Sequence, residues 1–366
     1  MELEVYAGSE GLSGLKTSWE ALEARPDVHI FQTFAYAELW QKTVGEPSGA
    51  VPLIAVLREG GTVVGIFPAC RVLLGGIPIL TWLGGPTLLD YGDVLFDAAA
   101  CSTPIGEFID QALVLLRKHG WGSLLYLTNV RDDAQAIAAL RERLRVYKKS
   151  AAPYVEIAGD YDAYLLSIGK NMRHEVRRRS RRLAEAGRVE YRLLAPGDPD
   201  IASAMRRLIA LQQARFSGGL GHTATQDRLH AAFRMEQAMH DPHSRVAVLS
   251  LDGALVAASL HIVYRGRMYC LMPAFDAQYA QYSPSLLLKA RVLQTCFEEG
   301  LNPCDFCWGD EAYKYVWTKV DVPMTSFVSA GTEGALVLAV AGIARRIARS
   351  KQSASVGKPE QPTSQL

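Results

Sequence analysis

Two blocks of the chain carry the alternating, turn-punctuated apolar pattern of β-meanders. Residues 51–85, VPLIAVLREGGTVVGIFPACRVLLGGIPILTWLGG, read as strand, Gly-Gly turn, strand, Gly-Gly turn, strand. Residues 244–275, SRVAVLSLDGALVAASLHIVYRGRMYCLMPAF, repeat that order, with turns at Asp252-Gly253 and Arg265-Gly266. Apolar runs bounded by residues that accept positive φ predict three-stranded antiparallel ribbons.

After each block the apolar spacing changes to a helical period. Residues 103–129 (TPIGEFIDQALVLLRKHGWGSLLYLTN) and 283–309 (SPSLLLKARVLQTCFEEGLNPCDFCWG) each open on a hydroxyl residue and a proline. Each then runs as a helix to Gly120 or Gly300 and ends in a short apolar strand. Pro104 and Pro284 lie 180 positions apart, as do the two glycines. A hydroxyl residue at the cap, proline at the first turn and glycine past the end are independent helix punctuation. A helical crossover of this length lets the strands on either side lie parallel in one sheet. The expected fold class is therefore α/β (α+β), built as two tandem units, 1–160 and 161–332, with mixed, mostly antiparallel sheets flanked by helices. Residues 333–366 read as a short basic helix and a disordered polar tail. That helix, whose apolar run ends in Arg345, Arg346, Arg349 and Lys351, either packs on the second unit or touches a membrane surface through 333–351.

The longest apolar run, Gly334 to Ala344, is about half of what a spanning helix needs, so no membrane span is expected. MELEVYAGSEGL has neither a basic nor an apolar leader region, which points to a cytoplasmic protein. Net charge is +1, but residues 170–192 hold nine Lys/Arg against three Glu, so the basicity is local. On a helix Arg173, Arg177 and Arg181 form one stripe, and Glu175 pairs with Arg179 at i, i+4. That face either meets phosphate or is a solvated surface.

Residues 304–314, CDFCWGDEAYK, raise the question of a metal or redox site. Zinc needs about four Cys/His ligands, and no second pair accompanies this one. If 302–308 is a strand, Cys304 and Cys307 face opposite sides and share neither a metal nor a disulfide. No metal is expected, and both read as buried small hydrophobes. Asp305, inside an apolar strand, needs a partner, and Lys314 is the nearest candidate. Tyr313, Tyr315 and Trp317, spaced by two, read as an extended segment. The helix start at Ser283–Ser285 presents unpaired N–H groups suited to an anion. No nucleophile elbow or Ser-His-Asp spacing is present.

Three stretches in order, SIGKNMRHEVRRRSRRLAEAG, YSPSLLLKARVLQTCFEEG and DFCWGDEAYKYVW, resemble the GCN5-related N-acetyltransferase (GNAT) fold. They are more closely similar to its double-domain relatives, the BioF2-like or CelD/BcsL-type acetyltransferases. FQTFAYAELW and LLDYGDVLF resemble the first domain of those proteins. The resemblance implies an acyltransferase using acetyl-CoA or another acyl-CoA. Its pyrophosphate would sit at Tyr282, Ser283, Pro284 and Ser285, with Gln281 and Met272 also on the cofactor. Its pantetheine would lie between the strands 268–274 and 303–308. The loop here, Gln278 to Ser283, departs from the usual Q/R-x-x-G-x-G/A, and Ser285 stands where glycine is common.

Acyl transfer needs a base, oxyanion donors and an acid for the leaving thiolate. Backbone N–H groups near Cys270–Met272 are candidate donors. Asp305, Asp310, Glu311 and His261 are candidate bases, and Tyr313 is a candidate acid. Arg173, Arg177, Arg215, His222 and Lys314 are candidate substrate contacts. The expected acceptor is a small molecule or a glycan or peptide precursor, with a link to cellulose, exopolysaccharide or envelope synthesis. Two other readings stay open. One is a Fem-type peptidyltransferase taking aminoacyl-tRNA, and the other is an inactive scaffold for polysaccharide synthesis.

Overall fold

A computed structural model describes residues 2–74, 76–120, 124–216 and 224–329. The expected terminal helix and tail and His222 lie outside the described residues, as does the side chain of Arg215. The first meander forms β2 (Val51–Glu59), β3 (Thr62–Leu74) and β4 (Ile77–Trp82), and β1 (Glu2–Ala7) pairs antiparallel with β2. The second forms β9 (Ser244–Leu251), β10 (Ala254–Tyr264) and β11 (Arg267–Phe275), flanked by β8 (Val189–Leu194) on β9. The turns are built as their residues dictate. Asp252 and Gly253 sit at φ 49° and 80°, and Arg265 and Gly266 at 51° and 72°.

Each meander is followed by its crossover. The helix Ile105–His119 links β4 to β6 (Leu124–Arg131), and the helix Pro284–Glu299 links β11 to β12 (Cys304–Asp305). Both strand pairs are parallel, with Ile79 opposite Leu124 and Met268 opposite Cys304. The helix punctuation differs in detail between the copies. Pro284 occupies the first turn and Gly300 closes its helix left-handed at φ 67°, as expected. Pro104 instead stands at the cap itself, and Gly120 closes right-handed at φ −82°.

The repeats are joined through the sheet. β7 (Arg145–Val155) and β13 (Asp321–Val328) complete it, with the two-residue β5 (Leu95–Phe96) on β3. The strand order is β1-β2-β3-β4-β6-β13-β7-β12-β11-β10-β9-β8. β13, late in the chain, therefore runs between β6 and β7, antiparallel to both, and Phe327 and Val328 on it are fully buried. β7 carries β13 along most of its length and β12 at its far end, through Val155–Cys304 and Tyr154–Asp305. The result is a mixed, mostly antiparallel sheet with helices on its faces.

Two local expectations fail. The strand read over 302–308 is two residues long: Phe306 and Cys307 are both buried while Trp308 turns outward, so the alternation breaks after Asp305. Residues 312–317 are a run of turns, with Lys314 N–H donating to the Glu311 carbonyl and Trp317 N–H to that of Lys314. Their period-two aromatics reflect turn packing and not an extended strand.

Candidate active site

β11 and β12 pair at only two positions, Met268–Cys304 and Tyr269–Asp305, after which β11 continues alone to Phe275. On its other edge β11 carries a bulge. Leu260 faces Met272 and His261 faces Cys270, so Leu271 has no opposite residue. Between the parted segments lies a narrow cleft, reached by His261, Cys270, Met272, Phe306, Tyr313 and Lys314. Four of the expected site residues, Met272, His261, Tyr313 and Lys314, are thus brought to one place.

Asp305 is not among them. It is 2 % exposed and faces the first half of the chain. Tyr91 donates its hydroxyl to Oδ1 at 2.5 Å, Arg131 approaches Oδ2 at 3.5 Å, and Cys307 N–H donates to Oδ1 at 2.8 Å. Arg131 also grips Asp133 through two bonds of 2.8 Å and lies 4.7 Å from the Tyr91 ring centre. Burial pushes the Asp305 carboxyl up, and Arg131 and the Tyr91 hydroxyl oppose that rise. The expected Asp305–Lys314 pair is therefore corrected. Lys314 Nζ donates to the carbonyls of Cys307, Trp308 and Gly309 and meets the Glu311 carboxylate at 3.0 Å. Glu311 spends its charge on that clamp, and Asp310 is exposed.

His261 is 1 % exposed. Its Nε2 lies 2.6 Å from the Ser259 hydroxyl, while Nδ1 has no hydrogen-bond partner. A buried ring nitrogen left open beside a cleft is an unspent donor or acceptor. The cysteines are free thiols. Cys304 Sγ lies 3.7 Å from Cys270 Sγ, and burial pushes the Cys270 thiol up to about 12, so both are poor nucleophiles.

The chain enters the second crossover helix through a 3-10 turn, Ala277–Tyr282, and Ser283 takes the left-handed conformation at φ 53°. The Ser283 side chain makes no capping bond, and the Leu286 and Leu287 N–H groups both reach back to the Ser283 carbonyl. The hydroxyl expected to cap this end thus leaves the helix start open. Beside it runs the basic helix, Lys170–Ala186. The Glu175–Arg179 pair forms as expected, at 2.6 Å, and Arg179 Nη1 also donates to the Gln281 carbonyl at 2.9 Å. Arg173 and Arg177 turn instead to Asp162, at 3.8 and 3.6 Å. Arg179 is therefore the arginine that reaches the helix start.

Sequence reasoning passed over four residues here. Tyr91 and Arg131 are invisible as partners of Asp305 because more than 170 positions separate them from it. Lys289 lines the cleft, its Nζ 4.3 Å from the Phe306 ring centre. Its signal was available: it is a lone lysine one turn before Leu293 and two before Cys296, which are both fully buried. Asp90, in LLDYGDVLF, is half-buried near Arg234 and Lys314 and accepts from Trp308 N–H. Burial pushes its carboxyl up to about 6 despite those cations.

Two outcomes follow for stability. Replacing Arg131 with Met should cost about 3 kcal/mol in denaturant unfolding, because Asp305 is left charged and buried, and adding Asp305→Asn should recover most of it. Equal losses in the single and double variants would contradict the pairing. Asp90 titrates near 6 in the folded chain against an ordinary value of 3.8, so its share of stability is full at low pH and is lost as pH rises from about 4 to 6. Asp90→Asn should flatten that part of the stability–pH curve by about 2 kcal/mol, and identical slopes in the variant and wild type would overturn the assignment.

Residues 170–315, less than half of the chain, match the family model described as the acetyltransferase (GNAT) domain. No curated protein matches the chain in sequence. Among solved structures it is similar to FemX, with TM-score 0.61 at 12% identity over 93% of this chain and 100% of that one. It is also similar to the C-terminal domain of a putative lysylphosphatidylglycerol synthetase from Agrobacterium fabrum, with TM-score 0.57, 15% identity and coverage of 91% and 96%. A third likeness is to a tandem GNAT protein from the clavulanic acid biosynthesis pathway, with TM-score 0.50, 14% identity and coverage of 90% and 98%. At such identities these likenesses speak for the fold alone, and that fold is GNAT-like, with residues 170–315 also matched by the sequence model of the acetyltransferase (GNAT) domain.

Proposed function

We propose that the protein moves an acyl group from acetyl-CoA or another acyl-CoA to an amine or hydroxyl, as a BioF2-like or CelD/BcsL-type acyltransferase. In this reading it consists of an N-terminal GNAT-like unit, 1–160, and a catalytic unit, 161–332, and its acceptor is a glycan, peptide or small precursor of the cell envelope or exopolysaccharide. The observation that carries the reading is the uncapped helix start at Ser283–Ser285, adjoining a cleft where β11 and β12 part. The Ser285 N–H and the positive end of the helix favour a pyrophosphate there, with the Arg179 guanidinium close by. Gln281, Tyr282, Ser283, Pro284 and Ser285 would hold it, with Met272 along the pantetheine.

The bulge at Leu271 supports an oxyanion role for the backbone of Cys270–Met272, since a residue without an opposite partner leaves its N–H free to turn. His261 is the base that fits best: the residue lines the cleft, its Nδ1 has no partner among the described residues, and Ser259 can fix the ring through Nε2. Tyr313, which also lines the cleft, would return a proton to the leaving thiolate. Asp305 then serves as a structural anchor and Lys314 as a loop clamp beside the substrate.

A second reading, transfer from aminoacyl-tRNA as in Fem-type enzymes, draws on the Lys170–Ala186 helix, where Arg177 is exposed. Titration calorimetry separates the two. Acetyl-CoA should bind wild type, and Ser285→Tyr, which obstructs the helix start, should weaken it at least tenfold. His261→Gln should bind acetyl-CoA normally while thiol release in the presence of an amine pool falls by about 10²-fold or more. If acetyl-CoA does not bind, and aminoacyl-tRNA binds with steep salt dependence, the second reading replaces the first.

A further inference from the structure

Lys289 is placed against every ordinary rule for a cation. Its side chain is half-buried among apolar and neutral groups, its Nζ over the Phe306 ring and beside the thiols of Cys270 and Cys304. Among the described residues no carboxylate lies within ion-pair distance of it. Burial opposes its charge, and the neighbouring Cys270 and Cys304 thiols and the Tyr313 hydroxyl hold the ammonium above its ordinary value. Both thiols are themselves pushed far up and carry no charge near neutrality. Lys289 also stands in the second turn of the Pro284–Glu299 helix, near its positive end, where a cation is disfavoured. A methionine of the same length would fill this place at no electrostatic cost.

The cation does have access to one space, the cleft between β11 and the loop after β12, which it lines together with Ser259, His261, Cys270, Phe306 and Tyr313. His261, whose buried Nδ1 has no hydrogen-bond partner among the described residues, also lines the cleft, so a second unspent polar group belongs to its lining. Binding sites of this kind are mostly apolar with a few polar groups that fix the ligand, and an unneutralised charge in one selects a ligand of opposite charge.

We propose that the ligand reaching this cleft carries a carboxylate, and that Lys289 holds it. The proposal rests on the reading of the cleft as an acyl-transfer site and names the class of its substrate. The carboxylate comes from one of two sources: the far end of a dicarboxylic acyl chain on the donor, or the acid group of an amino-acid-like acceptor whose amine then lies toward His261.

The test is calorimetry on the full chain and on Lys289→Met, with two matched pairs of probes. Succinyl-CoA against acetyl-CoA reads the donor source. Glycine against ethanolamine, each added to protein saturated with acetyl-CoA, reads the acceptor source. The carboxylate-bearing member of one pair should bind at least tenfold tighter than its neutral counterpart, and Lys289→Met should erase that difference. Its thermal midpoint should stay level or rise, since an unneutralised cation has been removed. Equal binding within both pairs, or a preference that survives Lys289→Met, overturns the proposal. So does a fall in the midpoint of Lys289→Met or of the milder Lys289→Gln, which would mark the lysine as structural. Should no CoA species bind, the acyltransferase reading fails by itself, and free succinate decides this one. Succinate binding lost in Lys289→Met upholds it, and absence of succinate binding refutes it.

Discussion

One buried carboxylate sets the geometry on which the rest depends. Asp305 would continue β12 along β11 if its side chain could leave for solvent, but it is drawn into the first half of the chain by Tyr91 and Arg131. Its own Oδ1 then accepts from Cys307 N–H, two residues on, and Cys307 takes φ 58°. An acceptor turned back on the following backbone competes with the ladder hydrogen bonds. The strand stops after two paired residues, and the cleft begins where it stops. Each contact alone is modest, yet a buried charge with one partner removed is expensive, so the arrangement is held as a unit.

That anchor also explains why the halves cannot be read as two beads on a string. β13 lies between β6 and β7, and β7 in turn carries β12, so the strand that ends at the cleft is hydrogen-bonded to β7 from the first half of the chain and to β11 from the second. Lys314 adds a local clamp, closing the loop after β12 on three carbonyls. The walls of the cleft are thus fixed by the sheet and by buried polar groups, while the helix start at Ser283 opens beside it without a cap. A rigid cleft beside an open helix end is the combination that anion-bearing ligands exploit.

Much of this was legible in the sequence because it depends on local chemistry. Paired turn residues marked the meanders, proline and glycine marked the crossover helices, and the parallel pairs followed from crossover length. What escaped was non-local. The apolar context of Asp305 shows that it needs a partner, but proximity along the chain points to Lys314, whereas burial favours whichever cation the fold delivers. Alternation over 302–308 suggests a longer strand than the two residues that form, because it cannot reveal that a side chain bends back on its own backbone. Arg173 and Arg177 shared a stripe as expected, but which stripe faces the helix start is set by packing, and it is Arg179 that does. Lys289 is legible in the sequence as a charge within an apolar period, but nothing local says that it borders a cleft.

Hydrogen–deuterium exchange with and without acetyl-CoA examines the central claim, that the gap opened by Asp305 receives an acyl-CoA. The account predicts slowed exchange in two stretches together, Cys270–Ala274 on the free edge of β11 and Ser285–Lys289 at the helix start, with little change in β2, β3 or β4. Protection confined to the first meander, or no protection at saturating ligand, would contradict it.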